Sequence, residues 1–316
     1  MIDSTPHSLA LELVGGNRRA LARAITLVET GGTDARALMG AIYPHTGHAL
    51  IVGVTGAPGA GKSTFVNALA QHWRREARTV AILAVDPSSP LSGGAILGDR
   101  IRMQPLGGDA GVFVRSMASR GRLGGIAHAT DDAVALMDAA GFDIVVIETV
   151  GAGQSEVEIA ATAQTTVVIE TPGTGDDVQS IKAGILEIAD LFVVNKADRE
   201  GADMVMRNLQ TMLRLAERTP GEWLPPVLPA VAIRDEGIAA ISETIDRHHT
   251  YITQADRMQA HNQHRAERAL MLSVQELALA RSRALHGGAA WQERIAQIVA
   301  HQSDPYTAAT ALRDVR

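Results

Sequence analysis

Residues 56–63 read Gly-Ala-Pro-Gly-Ala-Gly-Lys-Ser, and the segments on either side limit what this chain can fold into. The apolar run 49–54 precedes them as a buried strand would, and residues 64–70 follow them as a helix would. The pattern G-x-x-x-x-G-K-S between a strand and a helix is the phosphate-binding P-loop. Its glycines let backbone N–H groups surround an anion, and the helix N-terminus adds positive potential. The sequence therefore predicts a strand, a loop that holds nucleotide phosphates, and a helix.

The P-loop pattern also predicts the role of individual side chains. Lys62 is predicted to reach the β- and γ-phosphates, and the Ser63 hydroxyl is predicted to ligate Mg²⁺. A dinucleotide-binding turn fits worse, because the glycines at 56, 59 and 61 do not have the spacing G-x-G-x-x-G. The predicted phosphate contacts are Gly56, Ala57, Pro58, Gly59, Ala60, Gly61, Lys62, Ser63 and Thr64.

Short apolar segments between residues 46 and 235 alternate with segments of helical character. Most of them are rich in Val and Ile and nearly continuously apolar, which is typical of strands covered on both faces. The sequence therefore predicts an α/β domain with a doubly wound, mostly parallel sheet in residues 46–235. Residues 1–45 are predicted to form an N-terminal helical extension, and residues 236–316 a C-terminal helical region, to which the family resemblance described below adds a role in dimerisation. The predicted strands are 49–54, 80–85, 112–115, 143–147, 165–169, 190–194 and 227–232.

A second motif follows the sixth predicted strand. Asn195, Lys196, Ala197 and Asp198 match N-K-x-D, the guanine-reading motif of GTPases. A carboxylate at Asp198 can accept one hydrogen bond from the guanine ring N–H and one from its 2-amino group. Adenine presents neither donor in that geometry, and a site built to hydrogen-bond a ligand rejects analogues that lack the group. GTP and GDP are therefore the expected ligands.

Three carboxylates near predicted strand ends are candidates for the Mg²⁺ shell. Glu148 begins a Glu-Thr-Val-Gly sequence that resembles the D-x-x-G switch, in which Gly151 would offer its N–H to the γ-phosphate. Asp86 ends the second predicted strand, and Asp99 lies in the loop beyond it. Mg²⁺ takes oxygen ligands in octahedral geometry and usually few from protein. The predicted metal contacts are Ser63, Asp86, Asp99 and Glu148.

The residue after Gly151 predicts a slow enzyme. It is Ala152, at the position where Ras-like GTPases place a Gln that orients the attacking water. Gln154, two residues further on, could substitute only in part. We therefore expect slow intrinsic hydrolysis and a partner that completes the site.

The composition excludes several classes of function. A formal net charge of −6 argues against a general nucleic-acid binder. The absence of cysteine excludes disulfides, thiol catalysis and Cys-ligated metals, and it is compatible with a reducing cytoplasm. The longest apolar runs are far shorter than the roughly 20 residues of a membrane span, and the first residues lack a signal-peptide pattern. We expect a cytoplasmic protein that binds neither nucleic acid nor membrane.

Longer stretches resemble the MeaB/ArgK branch of the metallochaperone-type P-loop GTPases, the methylmalonyl-CoA mutase-associated GTPase chaperones. The helical pieces on either side of the nucleotide region match as well. The resemblance implies a homodimer whose C-terminal helices form much of the contact. It is carried by GAPGAGKST at 56–64, AVDPSSPLSGGAILGDRIRM at 84–103, IETVGAGQSE at 147–156, ETPGTGDDVQSIKAGILEIAD at 170–190 and NKAD at 195–198.

The same resemblance implies a GTP-gated chaperone that helps to load and protect adenosylcobalamin on an acyl-CoA mutase. Residues 170–190 would act as a third switch that reports the nucleotide state to the mutase. Asp176, Gln179 and Lys182 are its implied working residues, and with Lys62, Asp99 and Glu148 they complete the expected catalytic set. Methylmalonyl-, isobutyryl- and 2-hydroxyisobutyryl-CoA mutases all remain open as partners. An adenosyltransferase is a further candidate.

The loop after the last predicted strand departs from the family pattern. The family often shows a Ser-Ala pair there, whereas this chain has Ala230, Val231 and Ala232. Backbone contacts to the base would survive that change, so these three residues are still assigned to the guanine site.

Three alternatives remain open at this point. A nickel-type metallochaperone GTPase would need a metal-collecting cluster, for which the densest histidines are His248, His249, His261 and His264. An ArgK-like kinase linked to transport would need a second substrate-activating motif, and we find none. A scaffold that uses GTP only structurally is the remaining class.

Overall fold

The computed structural model describes residues 5–87, 106, 108–119, 125–149, 155–173, 183–215, 221–254 and 257–313. Seven strands form one sheet, and every strand pair among the described residues is parallel. The strands are β1 (Leu50–Gly56), β2 (Val80–Pro87), β3 (Val112–Ser119), β4 (Ile144–Thr149), β5 (Thr165–Glu170), β6 (Leu191–Asn195) and β7 (Val227–Ala230). Their order across the sheet is β3-β2-β4-β1-β5-β6-β7. Each predicted strand is present, and the doubly wound α/β fold is confirmed.

Helices flank this sheet and continue beyond it along the chain. Two short 3₁₀ turns, Tyr43–His45 and Ala232–Arg234, complete the described regular structure. The helices are α1 (Pro6–Val14), α2 (Arg18–Thr30), α3 (Thr33–Ile42), α4 (Lys62–Arg75), α5 (Gly125–Ala139), α6 (Ser155–Thr162), α7 (Ala183–Ile188), α8 (Ala202–Leu215), α9 (Ile238–Thr253), α10 (Arg257–Leu285), α11 (Ala289–Val299) and α12 (Pro305–Arg313).

The central strands are mostly apolar because both faces of the sheet are covered. Successive side chains of a strand point to opposite faces. In β1, Ile51 belongs to the core that includes the N-terminal helices, whereas Val52 and Val54 belong to the core that includes α4 and α9. All residues of β4 and β5 are buried. A sheet packed in this way leaves its carboxyl edge, where the strands end, as the place for a ligand.

The N-terminal helices pack against α5 and share one core with a face of the sheet. Helix α1 begins with Pro6 at its first position, and the Thr5 side chain accepts the N–H of Ser8. Helix α2 begins after Asn17, whose side chain caps two backbone N–H groups. Fully buried apolar residues of α1–α3 share one core with β1, β2, β4 and α5. The sequence predicted these helices but not the face that they cover.

The chain divides into two compact units, Met1–Arg265 and Ala266–Arg316. Within the second unit, α11 and α12 contact each other. The division into 1–45, 46–235 and 236–316 stays a prediction. Among the helices that the structure describes, none is long and apolar enough to cross a membrane.

Candidate functional site

The P-loop lies at the carboxyl end of β1 and runs directly into α4. Gly56, Gly59 and Gly61 have φ angles of 139°, 80° and 90°, a region that side chains rarely adopt. A Cβ on Gly56 would lie 2.1 Å from the carbonyl oxygen of Ile169 in the neighbouring strand β5. A Cβ on Gly61 would lie 2.6 Å from the Asn195 amide nitrogen. The tight loop therefore depends on glycine both for its backbone angles and for its packing.

Lys62 is folded over the loop that it follows. Its ammonium group donates hydrogen bonds to the carbonyl oxygens of Gly56 at 2.8 Å and Ala57 at 3.1 Å. The residue is only 7% exposed. A cation is thereby held inside the curve of the loop, where the sequence predicts that phosphates bind.

Ser63 and Glu148 meet at the carboxyl edge of the sheet. The Ser63 hydroxyl donates to Oε1 of Glu148 at 2.6 Å, and both residues are buried. The register explains the contact, because Glu148 of β4 pairs with Val54 of β1 shortly before the P-loop begins. A hydroxyl and a carboxylate are the oxygen donors that Mg²⁺ takes. The residues present therefore fit the predicted metal.

Asp86 lies at the same edge of the sheet. In the backbone register it pairs with Ala118 of β3, and it follows Ala84, which pairs with Glu148. Strand β2 therefore brings Asp86 to the carboxyl edge beside β4. This position is compatible with the predicted role near Mg²⁺.

Asn195 joins three parts of the site. It is 3% exposed, and its side-chain nitrogen donates to the carbonyl oxygen of Ala60 in the P-loop at 2.9 Å. Its side-chain oxygen accepts the N–H of Ala232 at 3.2 Å. Lys196 has a φ of 58° and donates from Nζ to the carbonyl oxygen of Gly59 at 2.7 Å. The N-K-x-D segment is therefore fixed to the phosphate loop and to the loop after β7.

The three residues of the predicted guanine-contact loop are buried and held by backbone contacts. Ala230 accepts the N–H of Ala197 at 3.0 Å, and Val231 donates its N–H to the carbonyl oxygen of Glu236. With the contact from Ala232 to Asn195, these bonds bring residues 230–232 against the N-K-x-D segment.

Asp198 has a charged neighbour that the sequence motifs did not indicate. Its Oδ2 lies 3.5 Å from Nη1 of Arg234, and Nε of Arg234 donates to Oε1 of Glu236 at 2.8 Å. The three side chains form a row of alternating charge beside the end of β6. A sequence signal existed only in the charged Arg-Asp-Glu run at 234–236, which no motif covers.

Comparison with known proteins decides which family this site represents. The family model described as "Methylmalonyl Co-A mutase-associated GTPase MeaB" matches residues 21–286. The chain belongs to the MeaB family. It is a GTPase by family and has the P-loop GTPase fold.

This MeaB-family chain is similar to proteins from archaea and bacteria. A Pyrococcus abyssi protein classed among the GTPases is 46% identical over 296 residues, which cover 93% of this chain and 91% of that protein. The GTPase ArgK of Escherichia coli is 41% identical over 268 residues, 83% of this chain and 81% of that protein. A crystal structure of a LAO/AO transport system kinase is 29% identical, with a TM-score of 0.74, and covers 99% of this chain and 98% of that chain. The expectation of a MeaB/ArgK-type GTPase is therefore confirmed.

Several predicted site residues of this MeaB-family protein fall outside the part of the chain that the structure describes. They belong to the first switch, the second switch and the proposed third switch, so their roles stay predictions. They are Asp99, Gly151, Ala152, Gln154, Asp176, Gln179 and Lys182.

Of the histidines considered for nickel, His248 lies away from the phosphate loop in this MeaB-family chain. His248 is buried at the amino end of β5, with Nδ1 2.9 Å from the Thr165 hydroxyl and Nε2 3.3 Å from Asp190. Burial raises the pKa of the Asp190 carboxyl to about 7, although the N–H of Thr166 donates to it. Among the described residues, no group of three or more His, Cys, Asp or Glu is arranged to hold a metal ion.

Proposed function

We propose that this MeaB-family GTPase uses GTP to gate the loading and protection of adenosylcobalamin on an acyl-CoA mutase. The family description supports the association with methylmalonyl-CoA mutase. The single structural observation that supports the nucleotide-binding part of this proposal is the side-chain amide of Asn195, which contacts both Ala60 and Ala232. It joins a phosphate-binding loop to a guanine-reading segment, so one ligand can engage both.

The phosphate half of the site supports binding and hydrolysis. Lys62 would exchange its two carbonyl partners for the β- and γ-phosphates, because a cation gains more from phosphate than from a neutral oxygen. Ser63 and Glu148, with Asp86 and Asp99, would hold Mg²⁺. When bound, Mg²⁺ supplies charge that offsets the negative charge of the phosphates in the transition state. Gly151 would offer its N–H to the γ-phosphate.

The base half supports a choice of GTP over ATP. Asp198 would accept the guanine ring N–H and the 2-amino group, while the backbone of Ala230, Val231 and Ala232 would border the base. A site whose polar groups stay unpaired with the wrong ligand rejects that ligand strongly. Calorimetry with GTP and ATP tests this step, and equal affinities for the two nucleotides would contradict it.

We propose that hydrolysis is slow in the isolated protein and is accelerated by the mutase. In the second switch, Ala152 stands where Ras-like GTPases have the water-orienting Gln. The mutase would order the segment that contains Asp176 and Gln179 and thereby place Lys182, or a charged group of its own, against the transferring phosphate. Charge supplied in that way raises slow GTP hydrolysis by roughly three to five orders of magnitude in known cases.

The experiment measures GTP turnover with and without a purified mutase, for the wild type and for Gln179→Ala and Lys182→Ala. We expect acceleration in the wild type and its loss in both variants, with basal turnover kept within about a fewfold, because the partner adds charge only in the complex. Methylmalonyl-, isobutyryl- and 2-hydroxyisobutyryl-CoA mutases are compared in parallel, and an adenosyltransferase is added as a further partner. Absence of acceleration by all of them would refute the coupling.

We also propose a homodimer formed through the C-terminal helices. On α10, Leu270, Val274 and Leu277 follow helical spacing and are each more than half exposed. Apolar residues that recur on one helix face in this way are suited to a second copy of the same helix. Light scattering of Val274→Asp against the wild type tests this, and an unchanged dimer or a monomeric wild type would contradict it.

A kinase activity is the second candidate function, because the similar solved structure is titled a transport system kinase. It would transfer the γ-phosphate to a protein instead of water. Incubation with γ-labelled GTP separates the two functions. Label in inorganic phosphate supports the GTPase chaperone, and stable label on a protein supports the kinase.

A further inference from the structure

We propose that Arg234 is a positioning residue for guanine recognition, which holds the Asp198 carboxylate so that both of its oxygens can face the base. This inference rests on the proposed reading of guanine by Asp198. Arg234 lies at the end of the 3₁₀ turn after β7, outside every motif of the sequence.

The guanidinium of Arg234 is divided between two carboxylates. Nε donates to Oε1 of Glu236 at 2.8 Å, and Nη2 donates to Oε2 of the same residue at 3.5 Å. Nη1 forms an ion pair with Asp198, at 3.5 Å from Oδ2. Because a guanidinium is planar and its donors have a fixed geometry, the contact with Glu236 also fixes where Nη1 lies against Asp198.

The turn that carries Arg234 is itself closed by backbone contacts. Val231 and Glu236 exchange two hydrogen bonds, at 3.0 and 3.4 Å, and Arg234 donates its N–H to the carbonyl oxygen of Val231 at 2.9 Å. Gly237 has a φ of 81°, and a Cβ there would lie 2.3 Å from the carbonyl oxygen of Pro229. The turn therefore has little freedom to move Arg234 away from Asp198.

Fold stability does not account for this row of charges. The side chains of Arg234, Asp198 and Glu236 are 49%, 36% and 58% exposed. Ion pairs as exposed as these contribute little to the stability of the fold. The arrangement is better explained by what it does to the Asp198 carboxylate.

Guanine recognition needs an ordered carboxylate. The last torsion of an Asp side chain is broad, so an unsupported carboxylate rotates widely. Guanine presents two donors in one plane, and both must meet the carboxylate oxygens at once. A contact that restricts the rotation before the base arrives lowers the entropy lost on binding. Arg234 supplies that contact at Oδ2, and because an ionised carboxylate has about four lone-pair sites, Oδ2 can accept from the base as well as Oδ1.

The experiment measures the Kd for GDP and the KM and kcat for GTP in the wild type, Arg234→Ala, Arg234→Lys and Glu236→Gln. We expect Arg234→Ala to raise the Kd for GDP and the KM for GTP about five- to tenfold, which is roughly 1–1.4 kcal/mol of affinity. The loss of catalytic efficiency should come from the higher KM and not from a lower kcat. Arg234→Lys should recover part of the affinity, and Glu236→Gln should lose part of it. Unchanged Kd and KM in Arg234→Ala would overturn the inference.

Arg75→Ala is the matched control. Arg75 of α4 makes an exposed ion pair at 2.6 Å with Asp235, which is in the same turn. In the part of the chain that the structure describes, no hydrogen bond or ion pair joins Asp235 to Asp198. We expect its Kd for GDP to stay within about twofold of the wild type, because exposed pairs contribute little by themselves. If Arg75→Ala lost as much affinity for GDP as Arg234→Ala, any damage to the turn would weaken GDP binding. That result would overturn the specific role of Arg234.

A double-mutant cycle tests whether Arg234 acts through Asp198. In an Asp198→Asn background, Arg234→Ala should change the Kd for GDP by less than about twofold, because coupled residues are not additive. If Arg234→Ala raised the Kd for GDP by the same factor in both backgrounds, the inference would be overturned. If Asp198→Asn itself binds GDP like the wild type and gains no affinity for xanthosine diphosphate, the guanine reading and the role of Arg234 both fail. If Asp198→Asn does shift toward xanthosine diphosphate while Arg234→Ala binds GDP normally, only the role of Arg234 fails.

Discussion

The hydroxyl of Ser63 donates to Oε1 of Glu148 across 2.6 Å, so the first turn of α4 and the end of β4 are joined by a buried contact. The two residues come from different motifs that are 85 positions apart in the chain. Their contact brings together a hydroxyl and a carboxylate, two groups of the kind that Mg²⁺ takes as oxygen ligands. The assignment of this pair to the metal can be tested directly.

Glu148→Gln should keep the hydrogen bond from Ser63 but remove the negative charge. We expect GTP hydrolysis to fall at least about tenfold and to require more Mg²⁺, because charge offset at the phosphates is a large term in phosphoryl transfer. The measurement is the initial rate as a function of Mg²⁺ concentration. Thr149→Val is the matched control, since it removes the neighbouring buried bond to Thr55 without changing charge. An unchanged Mg²⁺ dependence in Glu148→Gln would show that the carboxylate is not part of the metal shell.

Asn195→Ala should weaken both the fold and nucleotide binding. It leaves the carbonyl oxygen of Ala60 and the N–H of Ala232 without their partner, and each buried group left unpaired costs about 1–3 kcal/mol. We expect a clear loss of stability in urea and a higher Kd for GDP. The control is Asn17→Ala, which removes the cap of α2 and should cost about 1 kcal/mol of stability without affecting GDP. If both variants bind GDP equally well, Asn195 has only a structural role.

Gly56→Ala should disrupt the phosphate loop. The new Cβ would lie 2.1 Å from the carbonyl oxygen of Ile169, and the backbone has a φ of 139°. We expect at least about 1–3 kcal/mol of destabilisation from the clash and loss of GDP binding. Gly47→Ala also has a positive φ, 101°, but no atom lies within 4 Å of its Cβ, so it should retain GDP binding. Normal binding by Gly56→Ala would show that the loop adjusts without loss.

The fold could be predicted from the sequence because its strands are buried on both faces. Such strands contain runs of Val and Ile, 144–147 in β4 and 167–169 in β5, and every residue of both strands is buried. The P-loop could be predicted for a different reason. Its glycines, Gly56 and Gly61, meet neighbouring atoms so closely that other residues would not fit, and this leaves a fixed pattern in the sequence.

The contacts of Arg234 could not be predicted in the same way. Arg234 meets Asp198 only because the turn after β7 closes between Val231 and Glu236, and no periodicity encodes that closure. The position of the N-terminal helices is a similar case. Amphipathic spacing indicates that Leu13 and Ile25 are buried, but not which face of the sheet buries them.

Asp109 gives the protein a stability that depends on pH. The hydrogen bond from Arg74 and then the N–H of Gly111 lower the pKa of the Asp109 carboxyl. A carboxyl whose pKa is lower in the folded than in the unfolded state stabilises the fold above the unfolded pKa of about 3.9. That stabilisation is lost as the pH falls through the folded value.

Asp109→Asn should therefore be less stable than the wild type at pH 6, and the difference should shrink as the pH falls from about 4 toward 2, where the wild-type carboxyl becomes protonated as well. The measurement is urea unfolding of both proteins across this range. Asp143→Asn is a useful comparison. Burial raises the pKa of the Asp143 carboxyl and the hydrogen bonds from Thr79 lower it, and the net result is a lowered pKa, as for Asp109. A stability difference for Asp109→Asn that stays constant from pH 6 to pH 2 would mean that the contact with Arg74 does not depend on the charge of Asp109.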